Sequence, residues 1–352
     1  YTDSTEGALL LENSSTNLLT YSEAFDNSYW IKGGSSALGG FTSPKGDLSA
    51  FKLVEDSSTG AHFMYRNITS TTVGNDYSAS IFVKKGERDY FVLGTQTSQD
   101  AYFNLSTGVI KSSAISSKIT ALSNGYYICS ITWTATSTSE SIYIYNSEDG
   151  LTRNYTGDGT SGVYIYGAML EANSVASSYI PTNGSTVQRA AETCNGSGNS
   201  EVLNDSQGVL FANISALSDD GTNRFISLTD GSNDNRVLFG YRASSNQVFA
   251  RIEGNNSASV DLTNVVSDTE IVIKLAIYYD SSFNYKMYLN GFLVDNAIGT
   301  DSIIGLDTFD FTNATGTENF YGKTKEIAYY DTALTDAELE TLTSYRSLNE
   351  MV

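Results

Sequence analysis

The chain has 352 residues, enough for two domains of ordinary size, each with its own core. Acidic residues outnumber basic ones 40 to 20, a net charge of −20 that repels phosphate backbones and anionic bilayers and excludes nucleic acid and membrane surfaces as partners, while neutral glycans remain compatible. Only 17% of the residues are charged, and Ser, Thr, Asn, Gly and the 24 tyrosines fill the space, the palette of an all-β, extracellular protein.

From the N-terminus onward the segments between turn signals are short and alternate with period two. "SASIFVKK" (78–85) and "GYYICSITWTAT" (125–136) are the first clear strands, separated by Gly, Asn, Asp and Ser clusters at sandwich or barrel spacing. In the second, Trp133 alternates with Cys129 and Ile131 and is expected in the core. Cys129 reads as a small buried hydrophobe, and no bridge to Cys194 is expected. "SIYIYN" (141–146) and "GVYIYG" (162–167) follow. Each puts aliphatic residues (Ile142, Ile144, Val163, Ile165) on one side of a strand and tyrosines (Tyr143, Tyr145, Tyr164, Tyr166) on the other. The alternation fails at "TNGSTVQRAAETCNGSGNSEV" (182–202), where Asn, Gly and Ser accumulate. The chain therefore divides into residues 1–190, a linker at 191–201, and residues 202–352. Beyond the break, "TEIVIKLAIYYD" (269–280) is a strand. "KMYLNGFLVDN" (286–296) is a hairpin whose Asn290-Gly291 pair suits a type I′ turn. A single helix is predicted, late, over "LTDAELETLTSY" (334–345), with Thr335 and Glu338 as a capping box and Leu339 and Leu342 as its apolar stripe.

Two resemblances rest on longer runs. "GALLLENSSTNLLTYSEAFDNSYW" (7–30), "FVKKGERDYF" (82–91), "FNLSTG" (103–108), "NGYYICS" (124–130) and "YTGDGTSGVYIYGAMLEANSVASSYIPTNGS" (155–185) resemble a carbohydrate-binding-like jelly-roll module that recurs in bacteriophage tail and head fibre proteins; the segment before Gly7 is short relative to that family. "YLNGFLV" (288–294) and "GKTKEIAYYDTALTDAELETL" (322–342) are similar to concanavalin-like or laminin-G-like sandwiches, in which a last strand rises to a short closing helix. The expected architecture is an all-β jelly roll followed by a concanavalin/laminin-G-like sandwich with one short C-terminal helix. The resemblance implies a virion-borne, extracellular protein, a homotrimer, with other virion proteins as partners. The start at Tyr1 fits a fragment or a processed product, and neither a signal peptide nor an apolar run long enough to span a bilayer is present.

For chemistry, the tyrosines lead. An aromatic ring stacks on the apolar face of a pyranose and a phenol bonds its hydroxyls, so Tyr143, Tyr145, Tyr164 and Tyr166 are candidate carbohydrate contacts; the opposing reading is that both strand faces are buried. Trp30, after a polar loop, and His62, the single histidine, are the secondary candidates. One histidine cannot build a two-His metal site, no nucleophile motif accompanies it, and the E-x-D-x-x-E strand of concanavalin-like glycosidases is absent, so no catalysis is expected. No cofactor is required. Calcium is admissible in oxygen-rich turns at Asp230 and Asp234, and at Asp158, without the glycine and distal glutamate of an EF-hand. Sequons such as Asn67-Ile68-Thr69 follow from composition. Three functions fit: a glycan-binding adhesin, a structural virion protein whose tyrosines meet a neighbouring subunit, and the binding appendage of a polysaccharide depolymerase.

Overall fold

The computed structural model describes residues 7–255 and 259–346; the short lead before Gly7 lies outside the described residues. The chain forms two compact β-sandwiches, one of residues 14–190 and one of residues 191–346 together with residues 7–13. All-β architecture with one short helix is what the strand alternation predicts.

The first sandwich is a jelly roll of two six-stranded antiparallel sheets. One sheet runs, edge to edge, through Val109–Ser113, Asp100–Asn104, Tyr90–Thr95, Glu140–Ser147, Phe63–Ile68 and Ile31–Gly33; the other through Ser116–Ala121, Tyr127–Thr134, Asp76–Lys84, Gly162–Glu171, Ala50–Glu55 and Ser35–Phe41. The chain crosses between the sheets several times, so consecutive strands such as Asp76–Lys84 and Tyr90–Thr95 lie in different sheets. Period-two alternation sends one residue set inward. Ile142 and Ile144 from one sheet meet Val163 and Ile165 from the other in a single core with Leu53, Ile81, Leu93 and Phe103. Trp133 and Cys129 are core residues, as their alternation predicts, and burial pushes the Cys129 thiol well above its ordinary value. Cys194 is exposed and unbridged.

The second sandwich packs a six-stranded sheet against a five-stranded one around Leu210, Ile226, Phe239, Ile277 and Met287. At Asn290-Gly291 the φ angles are 51° and 91°, both left-handed, as the type I′ turn requires. The helix is Asp336–Thr343, and both halves of the Thr335–Glu338 capping box form. It lays Leu339 onto Val209, Phe211, Ala276 and Tyr288, the outer side of the six-stranded sheet.

The domain boundaries differ from those read in the sequence. Leu9–Leu11, expected in the first domain, pairs antiparallel with Gly322–Tyr330 and is an edge strand of the second sandwich. The second sandwich therefore starts, the whole first sandwich intervenes, and the chain returns. A three-residue apolar strand whose partner lies more than 300 residues away leaves no local trace. The segment expected as a linker is also engaged: Gly196 N–H donates to Asp310, and Ser197 and Phe309 exchange backbone hydrogen bonds.

Candidate functional site

The four predicted tyrosines do not form one ladder. Because the aliphatic rows of their two strands meet in the same core, the tyrosine rows point out of opposite sides of the first sandwich. Sequence alternation gives sidedness within a strand, but sheet membership is tertiary.

One of the two outer faces is closed. Tyr166 packs with Phe82, Tyr126 and Ala50 in a small cluster flanked by Phe41 and Tyr179. Its hydroxyl donates to Glu23, Tyr179 donates to Ser22 Oγ at 2.7 Å, and the Lys45 ammonium sits 5.0 Å above its ring. Burial, with that hydrogen bond to the Glu23 carboxylate, pushes the Tyr166 phenol far up. Tyr164 is half-buried against Phe41, with ring centroids 5.0 Å apart. Tyr166 is thus a packing residue and not the exposed ring expected of it.

The other outer face carries a longer row of half-buried rings. Across the sheet, Ile31, Tyr65, Tyr143, Gly94 and Asp100 occupy directly opposed positions on five strands and share one side. The next row holds Gly33, Phe63, Tyr145, Val92 and Tyr102. Tyr65 and Tyr143 stack at 4.8 Å with 14° between planes, and Tyr143 and Tyr145 at 5.5 Å with 14°. Phe63 tilts against all three tyrosines at 5.4–6.1 Å. Glycine at 33 follows from this packing, since a Cβ there would lie 2.6 Å from the Phe63 ring. Phe63, Tyr65, Tyr143 and Tyr102 are half-buried and Ile31 is 44% exposed, whereas Tyr145 is buried beneath them.

Polar groups border these rings. Arg153 lies 5.0 Å over the Tyr145 ring, donates to the Tyr145 hydroxyl at 3.0 Å and to Ser98 Oγ at 3.2 Å, and places Nε 3.4 Å from Asp100 Oδ2. Burial pushes the Asp100 carboxyl above its ordinary value, with Arg153 pulling the other way. Burial likewise raises the Tyr145 phenol to about 12 and the Tyr102 phenol in the same direction, the latter reinforced by Asp100. These phenols stay protonated and able to donate at neutral pH. The alternation "HFMYRN" (62–67) was the available signal for Phe63 and Tyr65; nothing local to Asp100 or Arg153 marks either.

The secondary candidates lie inside. Trp30 is 2% exposed, its indole N–H donating to the Tyr21 carbonyl at 2.9 Å and its ring packed on Phe25. His62 is 0% exposed; Nδ1–H donates to the Gly34 carbonyl at 2.7 Å and Nε2 lies 3.4 Å from the Tyr155 carbonyl. Both are corrections. Trp30 closes the core after the polar loop folds back, and His62 alternates inward between Ala61 and the outward Phe63, so neither reaches a ligand. The calcium candidates are turn formers. Asp230 accepts from Ser232 N–H and Oγ and from Asn235; Asp158 accepts from Thr160 and Ser161; the Asp234 amide donates to Ser232. Among the described residues, no three His, Cys, Asp or Glu side chains gather as a metal site requires.

The second sandwich offers a small hollow at Asp205, Tyr279, Asp280, Tyr285 and Asp301. Its acids are already used: Asp205 accepts from the Gly305 and Leu306 amides and Asp280 from Asn284, Ser282 and Tyr278. Residues 210–340, which span the sandwich core, the Asn-Gly hairpin and the capped helix, match the family described as the concanavalin A-like lectin/glucanases superfamily. The second sandwich is similar to a laminin-G-like domain. No curated protein sequence matches the chain. Among solved structures, the chain is similar to the CBM40 module of the Ruminococcus gnavus IT-sialidase bound to α2,3-sialyllactose (18% identity, 44% of this chain and 97% of that one, TM-score 0.36). It is also similar to the heptameric SAP-like pentraxin of Limulus polyphemus (14% identity, 44% and 76%, TM-score 0.37) and to mouse laminin α1 domains LG4-5 (10% identity, 83% and 90%, TM-score 0.30). The Tyr65–Tyr143 face lies outside the stretch matched to the laminin-G-like family.

Proposed function

We propose that this protein is a non-catalytic glycan-binding protein and that its first sandwich binds the sugar on the face of Tyr65, Tyr143 and Phe63. One observation carries this reading: two nearly parallel, half-buried phenol rings stacked at 4.8 Å, with hydrogen-bonding groups along one border. Stacked rings offer the C–H faces of a saccharide a flat apolar surface, and the phenols, Arg153 and Asp100 offer its hydroxyls partners. Single contacts of this kind are weak, so the protein acts as one of several copies, in keeping with the likeness to phage fibres: a trimer on a virion, attaching it to cell-surface polysaccharide outside the cell. Tyr164 and Tyr166, on the closed side, take no part.

The test is retention on a glycan array. Tyr143→Ala or Tyr65→Ala is expected to weaken binding about tenfold or more while lowering stability by only about 1 kcal/mol. Tyr164→Ala, on the opposite side, leaves retention unchanged. Equal loss from all three, or retention by none including wild type, would refute the proposal. A second reading has one observation behind it: Ile31 extends the same row with an apolar, 44% exposed side chain, as a face covered by a neighbouring subunit would. Analytical ultracentrifugation separates the two, since on that reading Tyr143→Ala dissociates an oligomer and leaves no glycan to lose. Reducing ends released from host polysaccharide would instead mark a depolymerase.

A further inference from the structure

Asp100 sits at the end of the tyrosine row, 7% exposed, and its Oδ1 is a buried acceptor with no hydrogen-bond partner. Such an atom costs about 1–3 kcal/mol unless something donates to it. Arg153 does not: its Nε approaches the other oxygen, at 3.4 Å. The orphaned oxygen leans over Gly94, where a Cβ would lie only 2.1 Å from it. Gly94 has no left-handed φ that would call for glycine, so the missing side chain serves to leave room. The row Tyr65–Tyr143–Gly94–Asp100 is thus two stacked rings, a buried glycine whose missing side chain makes room for the Asp100 carboxylate, and an acceptor without a donor. The Asp χ2 torsion is broad and two-fold, so a rotation turns Oδ1 outward from its place over Gly94.

The charge around this carboxylate selects its ligand. The Arg153 guanidinium is spread over Asp100, the Tyr145 hydroxyl and Ser98 Oγ, so Asp100 balances its charge. Asp149, close enough to act on the Tyr102 phenol, leaves a local excess of negative charge, in a sandwich of 14 acidic and 11 basic residues. A sugar carboxylate entering here would face that excess with Arg153 already engaged, whereas a hydroxyl donates to Oδ1 without bringing in a second negative charge. Resting on the glycan reading above, we infer that this face is selective for neutral pyranosides, stacked on Tyr65 and Tyr143 with a hydroxyl donated to Asp100 once its Oδ1 turns outward, and that it rejects sugars bearing a carboxylate.

The whole chain should be profiled at physiological salt against neutral hexose, deoxyhexose and N-acetylhexosamine oligosaccharides and against uronate- and sialate-bearing ones. Retention is expected on neutral members only. Asp100→Asn, which keeps the shape and removes the charge, is expected to weaken neutral binding about tenfold and to admit acidic members, because Arg153 is then unbalanced. Equal or stronger wild-type retention on acidic members overturns the selectivity while leaving the glycan reading intact, and so does an Asp100→Asn profile identical to wild type. Retention on no member, or retention indifferent to Tyr143→Ala, overturns both. The wild-type profile alone decides the neutral-versus-acidic question, whatever the folding of the variant.

Discussion

Glu55 and Asp100 are both buried carboxylates of the first sandwich, and their surroundings drive them in opposite directions. Burial pushes Glu55 upward, but two hydrogen bonds from Arg88, one from the Tyr155 hydroxyl at 2.6 Å and one from the Asp158 amide at 3.0 Å outweigh it, and its pKa is lowered. A lowered carboxylate contributes stability that is complete above its unfolded-state value, about 4.3, and is lost as pH falls through the folded one. Removing its charge leaves Arg88 only its longer ion pairs to Glu148 at 3.6 Å and Asp158 at 4.0 Å, so Glu55→Gln should cost about 3 kcal/mol at neutral pH, and the gap to wild type should close on acidification. Denaturant titrations from neutral to acid pH would show this; parallel stability curves would refute it. At Asp100 burial dominates over Arg153 and the pKa is raised. The folded state then binds its proton more tightly than the unfolded chain does, so ionisation costs stability as pH rises from about 3.9 through the folded value. Asp100→Asn should gain on wild type across that window and level off above it. A difference that is flat with pH would mean the carboxylate is solvated.

At the scale of elements, local signals and long-range pairing separate cleanly. The Asn290-Gly291 hairpin and the Thr335–Glu338 cap are legible because a turn and a helix start are each written within four residues. Gly291 has φ of 91°, and a Cβ there would lie 2.6 Å from Ser344 Oγ, so Gly291→Ala should destabilise the second sandwich by about 1–3 kcal/mol. Thermal melts would check this; a variant as stable as wild type would mean that the turn is not type I′ in solution. The strand Leu9–Leu11 has no such local mark. Deleting residues 1–13 removes the edge strand from Gly322–Tyr330 and bares its pairing groups, so the fragment 191–352 should be less stable and more prone to associate than the same domain with its N-terminal strand. Equal melting temperatures with and without that strand would count against the pairing.

For the whole molecule, the first sandwich is an insertion closed by its own termini: Ser15–Asn17 pairs with Val187–Arg189, and all its sheet hydrogen bonds are internal. Residues 14–190 should therefore fold alone and keep the glycan profile of the full chain; a fragment that melts without cooperativity would argue that the insertion depends on its host. The net charge of −20 is unevenly divided: residues 14–190 hold 14 acidic and 11 basic residues, and the rest of the chain holds the other 26 and 9. Sequence alone determined the all-β class, the inward aliphatic row Ile142–Ile144–Val163–Ile165, the hairpin and the helix, because period-two alternation, turn chemistry and capping act between near neighbours. It also pointed to Tyr143. Only the tertiary structure decided that Tyr143 and Tyr164 look out of opposite sides, that Trp30 and His62 are interior, and that Tyr65, Asp100 and Arg153 join Tyr143. Which strands become neighbours, and which outer face a loop then covers, depends on pairings made across tens to hundreds of residues, and no short window of sequence contains them.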